Sequence, residues 1–329
     1  MTVQITIIGL GQIGASIGLG LTKIKDQVTR IGNDRDPIIA RQAEKMGAVD
    51  KISINLPSAV RNADLVILAV PVDEIRKTIE VIAPDLKPGS VLVDTSPVKV
   101  PVMEWAKELL PGPDRYFAGL TPSLNPAYIR KDGADAEAHA DLFQNSLMLI
   151  TTMPGIDESA IDLVSNLTKI LGATPLFADA YEADGLTAYS HMLPYLVSAA
   201  LVNATMNQAG WREARKIAGQ AYTHMTEITL HAEESEALGT SAMLNAENTT
   251  RLLDQMIIEL REIRDLINQQ DAAALEERLK KAQNARESWW VHRLEGDWEV
   301  ASQKNAEIPS PGEMIGRLFG YRPKKGKEK

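Results

Sequence analysis

The sequence predicts an α/β protein in which a doubly wound parallel sheet is followed by an all-α domain. Short β-branched runs alternate with amphipathic helical stretches in the first half, as is typical of βαβ units. A glycine-rich turn directly follows the first run. From about residue 179 the pattern is helical throughout, with no convincing strand.

The elements of the first half follow from these patterns in chain order. Four apolar runs are predicted as strands: Val3–Ile8, Gln27–Gly32, Asp64–Val70 and Ser90–Asp94. The helices between them are predicted at Ile13–Leu21, Pro37–Met46 and Val72–Ile82. Asp36 is the expected N-cap of the second helix, with Pro37 in its first position and Gly47 just beyond its end. A last strand–helix–strand unit is predicted at the sheet edge, over Leu147–Thr152, Glu158–Leu171 and Thr174–Phe177.

The second half contains helices that are unusually apolar for a surface. Leu186–Met206 is apolar on most faces, which predicts burial in a bundle or in a subunit interface, and hence a homodimer. A helix with an apolar stripe ends at Gln269, and another is predicted over Ala272–Trp289. We therefore expect a nucleotide-binding domain over residues 1–178, an all-α substrate and dimerisation domain over 179–300, and a mobile tail over 301–329.

Composition excludes several classes of function. The chain has 329 residues, 35 Lys and Arg against 44 Asp and Glu, a formal net charge of −9, and no cysteine. Disulfide scaffolds, thiolate catalysis and Cys-ligated metals are therefore excluded, and the histidines show no metal-ligand spacing, so no metal is predicted. An acidic body argues against nucleic-acid binding. Glycines interrupt the apolar segment Ile5–Thr22 and no Lys or Arg precedes it, so we expect no membrane segment and a cytoplasmic protein.

The glycine-rich turn has the form of a dinucleotide-binding fingerprint. The run Gly9-Leu10-Gly11-Gln12-Ile13-Gly14 is a GxGxxG between a strand and a helix, and Asp34 follows Gly14 by twenty positions at the end of the second strand. This context is that of a Rossmann-type domain, in which the helix N-terminus faces the pyrophosphate. The residues predicted to contact the cofactor are Gly9, Gly11, Gln12, Ile13, Gly14, Asp34, Arg35, Ala69, Val70 and Pro71.

The identity of the dinucleotide depends on two neighbouring residues. Asp34 would accept hydrogen bonds from the adenosine ribose and repel a 2′-phosphate, which favours NAD. The guanidinium of Arg35 could hold a 2′-phosphate, which leaves NADP open. FAD and a glycine turn with no ligand are less favoured alternatives.

The motifs together resemble the prephenate/arogenate dehydrogenase family over most of the chain. The resemblance is carried by IIGLGQIGASIGLGL, GNDRDP, ADLVILAVPVDEI, PGSVLVDTSPVK, FAGLTP, ARKIAG and ARESWW. It implies a Rossmann domain joined to an all-α domain that builds a dimer, and a role in tyrosine biosynthesis. It further implies oxidation of a ring carbinol carbon by hydride transfer to nicotinamide, with loss of carbon dioxide as the ring aromatises.

The residues that would contact the substrate depart from the family pattern. The family's G-G-H-P reads here Gly119-Leu120-Thr121-Pro122, and a threonine hydroxyl cannot act as general base at neutral pH. The family's D-x-x-S-V-K reads Asp94–Lys99, with Pro97 at the usual serine and Ser96 one position earlier.

The helical half departs from the family in a similar way. The family's S-H-L-P-H aligns without gaps to His191–Tyr195, which displaces the histidine of the Ser-His pair by one position, about 100° around a helix. In the family's F-R-D-x-T-R-I, the arginine that resembles a carboxylate clamp is replaced by Glu227. Prephenate carries two carboxylates, so this substitution predicts weak prephenate binding.

Three hypotheses about function follow from these residues. The first is an NAD(P)-dependent oxidoreductase acting on prephenate, arogenate, or a less anionic alcohol/ketone or amine/imine. The candidate catalytic residues are then Ser96, Thr121 and His191, and the candidate substrate contacts are Tyr195 and Glu227. Each also has a structural interpretation, such as turn capping by Ser96 or a backbone-bonded His191. The second hypothesis is a non-catalytic dinucleotide-binding redox sensor, and the third is a structural protein that keeps only the fold.

Overall fold

The computed structural model describes residues 3–129, 137–230 and 235–296. It divides into two compact units. Among the described residues, the first contains residues 3–70, 74–129, 137–180 and 287–296, and the second contains residues 71–73, 181–230 and 235–286. The tail predicted over 301–329 lies outside the described residues.

The first unit alternates strands and helices. Its strands among the described residues are β1 (Val3–Ile8), β2 (Val28–Asn33), β3 (Lys51–Ile52), β4 (Leu65–Leu68), β5 (Val91–Asp94), β6 (Tyr116–Pro122), β7 (Leu147–Thr152) and β8 (Thr174–Phe177). The helices between them are α1 (Gln12–Gly20), α2 (Pro37–Lys45), α3 (Leu56–Val60), α4 (Val72–Ile82), α5 (Val100–Leu109), α6 (Pro126–Ile129) and α7 (Glu158–Ile170).

The strands form one sheet in the order β3-β2-β1-β4-β5-β6-β7-β8. All neighbouring strands are parallel except β6 and β7, which run antiparallel. The predicted doubly wound α/β class is confirmed, with one antiparallel pair that the sequence did not predict. The chain goes from β1 outward to β2 and β3 and then returns to β4 on the other side. The carboxyl end of β1 is therefore the switch point at which such sheets bind ligands.

The sheet forms because its strands are apolar enough to be covered on both faces. Every residue of β4 and of β5 is buried, including Asp94 at the end of β5. Ile7 and Ile67 on the central strands are fully buried and pack in the same core as Ile17 of α1 and Val164 of α7. Continuous apolar strands are the expected pattern for a parallel sheet that has helices on both faces.

The local signals in α2 behave as predicted. The Asp36 carboxylate accepts a hydrogen bond of 2.7 Å from the backbone N–H of Ile38, and Pro37 occupies the first helical position. Gly47 adopts a φ of +80° directly after the last turn, a conformation that glycine reaches without strain. The prediction missed β3 and α3, because two and five residues are too few for a periodic pattern. It also did not include α5, β6 and α6.

The second unit is helical throughout its described residues. Its helices are α8 (Ala180–Thr187), α9 (Leu193–Met206), α10 (Trp211–Ala214), α11 (Gln220–Thr226), α12 (Ser235–Leu244), α13 (Ala246–Asn268) and α14 (Ala272–Glu295). A π-helical turn, Ala188–Met192, joins α8 to α9. The predicted break between α13 and α14 is present, with Gln270 at a φ of 55°. Among the described helices, none combines the length and apolarity needed to span a bilayer.

Residues 287–296, which include the end of α14, group with the first unit. The physical reason is a buried contact in which the Arg293 guanidinium donates to the Ser123 hydroxyl at 2.7 Å and to the Leu124 carbonyl. This burial lowers the pKa of Arg293 from its usual range. The domain boundaries predicted over 1–178 and 179–300 stay predictions.

Candidate functional site

The three fingerprint glycines have different geometric reasons to be glycine. Gly9 has a φ of +88°, and a Cβ there would lie 2.3 Å from the Ala69 carbonyl oxygen. A Cβ on Gly14 would lie 1.9 Å from the Gly9 carbonyl oxygen. A Cβ on Gly11 would meet no atom of the described residues within 4 Å. Gly9 and Gly14 are therefore required by packing, whereas Gly11 faces open space.

The start of α1 lies next to that open space. The helix begins at Gln12 with Gly11 as N-cap, and no side chain of the described residues caps it. The N–H groups of a first turn need an acceptor, and the helix dipole favours a negative charge there. These features fit a pyrophosphate, which needs close backbone approach and N–H donors.

Asp34 lies directly after β2 and is held by two backbone groups. One carboxylate oxygen accepts from the Leu10 N–H at 2.7 Å, and the other accepts from the Asp36 N–H at 2.8 Å. Each carboxylate oxygen keeps a further lone pair for a ribose hydroxyl. Asp34 is thus fixed beside the glycine turn, in the position that the fingerprint requires.

The other predicted cofactor contacts lie around the same turn. Arg35 forms an ion pair with Glu74 of α4, although three quarters of its side chain is exposed. The Ala69 N–H donates to the Ile8 carbonyl at 2.7 Å, and Val70 lies against Gly9. Gln12 donates to the Glu137 carbonyl at 3.3 Å. Direct contacts of Ile13 and Pro71 with a cofactor stay predictions, as do those of the whole set.

A second polar cluster lies at the carboxyl ends of β5 and β6. The Lys99 ammonium is fully buried and donates to the Asp94 carboxylate and to the Ser96 carbonyl, both at 2.7 Å. Its side chain passes Gly119, where a Cβ would lie 2.6 Å from the Lys99 Cδ. A buried ion pair persists only when its charges and remaining hydrogen-bonding groups are well satisfied. The cluster therefore fixes the segment that leaves β5.

Ser96 belongs to this buried cluster. Its side chain is 4% exposed, and its hydroxyl lies 2.9 Å from an Asp94 carboxylate oxygen and 3.0 Å from the Val98 carbonyl. The single hydroxyl proton can satisfy only one of these acceptors. A direct role for Ser96 toward a ligand stays a prediction, while its link to Asp94 is a structural fact.

Thr121 near the end of β6 has a buried hydroxyl with unused hydrogen-bonding capacity. The Thr121 Oγ1 finds no hydrogen-bond partner among the described residues, and neither does the Thr151 Oγ1 on β7. Leaving a buried polar group unsatisfied costs about 1–3 kcal/mol. A water or ligand group is the simplest partner that would recover this energy, so the predicted role of Thr121 retains a physical basis.

His191 and Tyr195 are brought together in the helical unit. Their rings meet edge to face with centroids 5.4 Å apart. His191 is exposed and lies in the π turn Ala188–Met192. A π turn holds one more residue than an α-helical turn, and such turns are frequent at functional sites. The roles predicted for His191 and Tyr195 stay predictions.

Glu227 lies at the end of α11 and is partly exposed. Two residues earlier, the Met225 carbonyl accepts a 2.6 Å hydrogen bond from Ser198 of α9. This contact fixes the segment that carries Glu227 against the helix that carries Tyr195. Substrate contacts by either residue stay predictions.

Sequence reasoning missed Glu74 and the Asp94–Lys99 pair. The signal for the pair was a lysine within the apolar run Pro97-Val98-Lys99-Val100-Pro101, where a charged side chain needs a partner. No sequence signal connects Glu74 with Arg35, which lie 39 positions apart. The described residues include no group of three or more His, Asp or Glu side chains placed to hold a metal ion.

Comparison with known proteins gives family matches to both halves of the chain. The nucleotide-binding domain of prephenate dehydrogenase matches residues 17–176, and the dimerization domain of prephenate dehydrogenase matches residues 179–281. The first match begins after the fingerprint glycines, so their geometry supports nucleotide binding independently.

Individual relatives extend over nearly the whole chain. A prephenate dehydrogenase from Lactococcus lactis is 30% identical over 88% of this chain and 78% of its own length. A cyclohexadienyl dehydrogenase from Zymomonas mobilis is 28% identical over 86% of this chain and 94% of its own length. The crystal structure of an A. aeolicus prephenate dehydrogenase in complex with hydroxyphenyl propionate and NAD⁺ has the same fold. It superimposes with a TM-score of 0.76 at 20% identity, covering 88% of this chain and 98% of the other.

The fold, the glycine turn and these matches agree with one another. The resemblance inferred from the sequence motifs is confirmed, and the expectations of a purely structural protein or a non-catalytic sensor are not favoured. The chain belongs to the prephenate dehydrogenase family of NAD(P)-dependent oxidoreductases.

Proposed function

We propose that the chain oxidises the ring alcohol of a cyclohexadienol substrate with NAD as hydride acceptor. The observation that carries this proposal is the glycine turn with Asp34 fixed beside it by two backbone hydrogen bonds. Bound nicotinamide supplies the hydride acceptor. The protein supplies the binding surface, the orientation of the substrate and a site for the hydroxyl proton.

NAD is proposed over NADP because of charge at the ribose. Asp34 offers lone pairs to vicinal hydroxyls, and its negative charge opposes a 2′-phosphate. Arg35, which could otherwise bind that phosphate, already pairs with Glu74. Both features lower the affinity for NADP more than the affinity for NAD.

His191 is proposed as the group that accepts the hydroxyl proton. An imidazole can hold a proton near neutral pH, whereas the Thr121 hydroxyl cannot. Thr121 is proposed instead to hydrogen-bond a substrate oxygen, which would satisfy its buried Oγ1. Ser96 is proposed to act through Asp94, to which its hydroxyl is already bonded.

Glu227 favours arogenate over prephenate as the substrate. Arogenate carries an ammonium and a carboxylate where prephenate carries a keto acid, so its net negative charge is smaller. A carboxylate at position 227 can pair with this ammonium, which prephenate lacks, and Tyr195 is proposed as a further substrate contact. The same observation supports a second candidate, a smaller alcohol/ketone or amine/imine substrate with less negative charge.

The test is the rate of nicotinamide reduction with arogenate and with prephenate, for each of NAD and NADP. We expect turnover with arogenate and NAD, and kcat/KM for prephenate at least about tenfold lower, as loss of one charged hydrogen bond predicts. Glu227→Arg should shift the preference toward prephenate, with Glu227→Gln intermediate. Faster turnover of prephenate than of arogenate by the wild-type chain would contradict the substrate assignment.

We propose that the chain works as a homodimer through its helical unit. Exposed apolar side chains remain on α13 of the single chain: Ile257, Ile258, Leu260 and Ile267. A surface of this kind is typical of an interface. Light scattering should give twice the chain mass, and Leu260→Glu should shift it toward the monomer. Gln255→Glu, which adds the same charge at a polar position of α13, should leave the mass unchanged, and a wild-type monomer at all concentrations would contradict the proposal.

A further inference from the structure

The Arg35–Glu74 ion pair crosses the carboxyl end of β1. Arg35 follows β2 by two residues, and Glu74 lies in the first turn of α4, which follows β4. Because β2 and β4 are the two neighbours of β1 in the sheet, a contact between their exits must pass over the end of β1. Adjacent strands are about 4.8 Å apart, so the two side chains together span roughly 10 Å.

The pair is part of a local excess of negative charge. Asp34 and Asp36 flank Arg35 in sequence, and their carboxylates accept backbone hydrogen bonds. The acidic side chain that pairs with the Arg35 guanidinium is Glu74, whose own side chain is about one third exposed. The positive charge next to Asp34 is therefore compensated by a residue from a different element.

We propose that Glu74 is a specificity-determining residue that disfavours dinucleotides with a 2′-phosphate, because it occupies the Arg35 guanidinium. This inference rests on the proposed binding of NAD beside Asp34. A 2′-phosphate in this site would lie beside the Asp34 carboxylate. Arg35, the cation that would bind the phosphate, is already paired with Glu74. With Glu74 neutralised, the guanidinium is free to form charge-assisted hydrogen bonds with the phosphate.

The experiment measures dissociation constants of NAD and NADP by equilibrium dialysis for the wild type and for Glu74→Gln. We expect Glu74→Gln to lower the Kd for NADP about tenfold, a modest effect because exposed charges are screened by water. The Kd for NAD should change by less than about threefold, since ribose hydroxyls carry no charge. Rising salt concentration should reduce the gain in NADP affinity.

Three further variants separate this role from general effects of charge. Glu80→Gln removes the same charge from the same helix and breaks an ion pair with Arg76, so the ratio of the two Kd values should stay at the wild-type value. Arg35→Gln should abolish the effect of Glu74, so that Arg35→Gln with Glu74→Gln binds NADP no better than Arg35→Gln alone. Thermal unfolding of every variant checks that each is folded.

These measurements distinguish a failure of NAD binding from a failure of Glu74 to affect NADP binding. If wild type binds neither dinucleotide, the proposed function fails and this inference fails with it. If wild type binds NAD but Glu74→Gln leaves the Kd ratio unchanged, only the inference is overturned. A gain in NADP affinity that persists without Arg35 also overturns it, because Glu74 would then act on the phosphate directly.

Discussion

Two polar regions at the same edge of the sheet are built by different means. At the end of β1, the site is formed by the backbone. It consists of a positive-φ glycine, a helix start without a side-chain cap, and N–H groups that hold the Asp34 carboxylate. At the ends of β5 and β6, the polar cluster is formed by buried side chains, and the Lys99 side chain passes Gly119 to reach Asp94. A backbone site needs particular residues at fixed spacing, whereas a side-chain cluster needs only partners of matching chemistry.

This difference explains why the glycine fingerprint is present in this chain while the residues predicted to contact the substrate differ from the family pattern. Replacing a fingerprint glycine produces a steric clash or fills the ligand space, so few alternatives are compatible with binding. Replacing a predicted substrate contact, such as Thr121 or Glu227, should change which ligand fits without changing the fold. We therefore expect this chain to depart from its family at the substrate end.

The largest effect is expected on removing the buried charge at β5. Lys99→Met leaves Asp94 buried without its cation, which should lower the free energy of unfolding by about 3–5 kcal/mol. Lys107→Met, on the exposed side of α5, is the matched control and should change it by less than about 0.5 kcal/mol. Urea unfolding followed by circular dichroism measures both.

A double variant sharpens the same prediction. Adding Asp94→Leu to Lys99→Met removes the unpaired charge, so much of the lost stability should return. A loss for Lys99→Met no greater than that for Lys107→Met would show that the cluster does not stabilise the β5 exit.

The next largest effect separates packing from ligand space at the glycine turn. Gly11→Val should weaken NAD binding by at least about a hundredfold, as expected if two charged hydrogen bonds are lost, with little change in stability. Gly11 has a φ of −66°, which valine tolerates. Gly14→Val should instead lower the free energy of unfolding by about 3 kcal/mol, because its Cβ overlaps the Gly9 carbonyl.

Equilibrium dialysis and urea unfolding of these two variants provide the test. If Gly11→Val bound NAD like wild type, the open space beside Gly11 would not be the phosphate site. If Gly14→Val were as stable as wild type, the packing explanation for that glycine would fail.

The smallest effect concerns a charge pair remote from the ligand space. Burial raises the pKa of Asp50, but hydrogen bonds and charge attraction from Arg30 outweigh it, and the net pKa lies below its ordinary value of 3.8. The stabilisation from this pair is therefore present above pH 3.8 and is lost as the pH falls through the lowered pKa. Asp50→Asn should lower the free energy of unfolding at pH 7 by at most about 1 kcal/mol. The free energy of unfolding of this variant should also decrease less than that of wild type as the pH falls.

Asp26→Asn, a change of the same charge at an exposed carboxylate, is the control for this titration. Both variants are compared by urea unfolding between pH 2 and pH 7, a range set by the ordinary carboxylate pKa. If the free energy of unfolding of Asp50→Asn fell with decreasing pH as steeply as that of wild type, Asp50 would not be the group whose protonation destabilises the protein.

The sequence predicted features that depend on local chemistry. The strand run Val3–Ile8, the Asp36 cap and the glycine turn each depend on residues close together in the chain, and each is found in the structure. The Arg35–Glu74 pair depends on which strands are neighbours, which only the folded sheet decides. The π turn at His191 was missed because one extra residue in a turn does not interrupt a helical sequence pattern. The domain boundaries and the cytoplasmic location stay predictions.

Equilibrium dialysis of NAD against the folded wild-type chain shows whether this protein binds the dinucleotide at all. Binding beside the β1 glycine turn predicts saturation at one NAD per chain, with competition by excess adenosine diphosphate-ribose. Absence of saturable binding by a chain that circular dichroism shows to be folded would contradict the account.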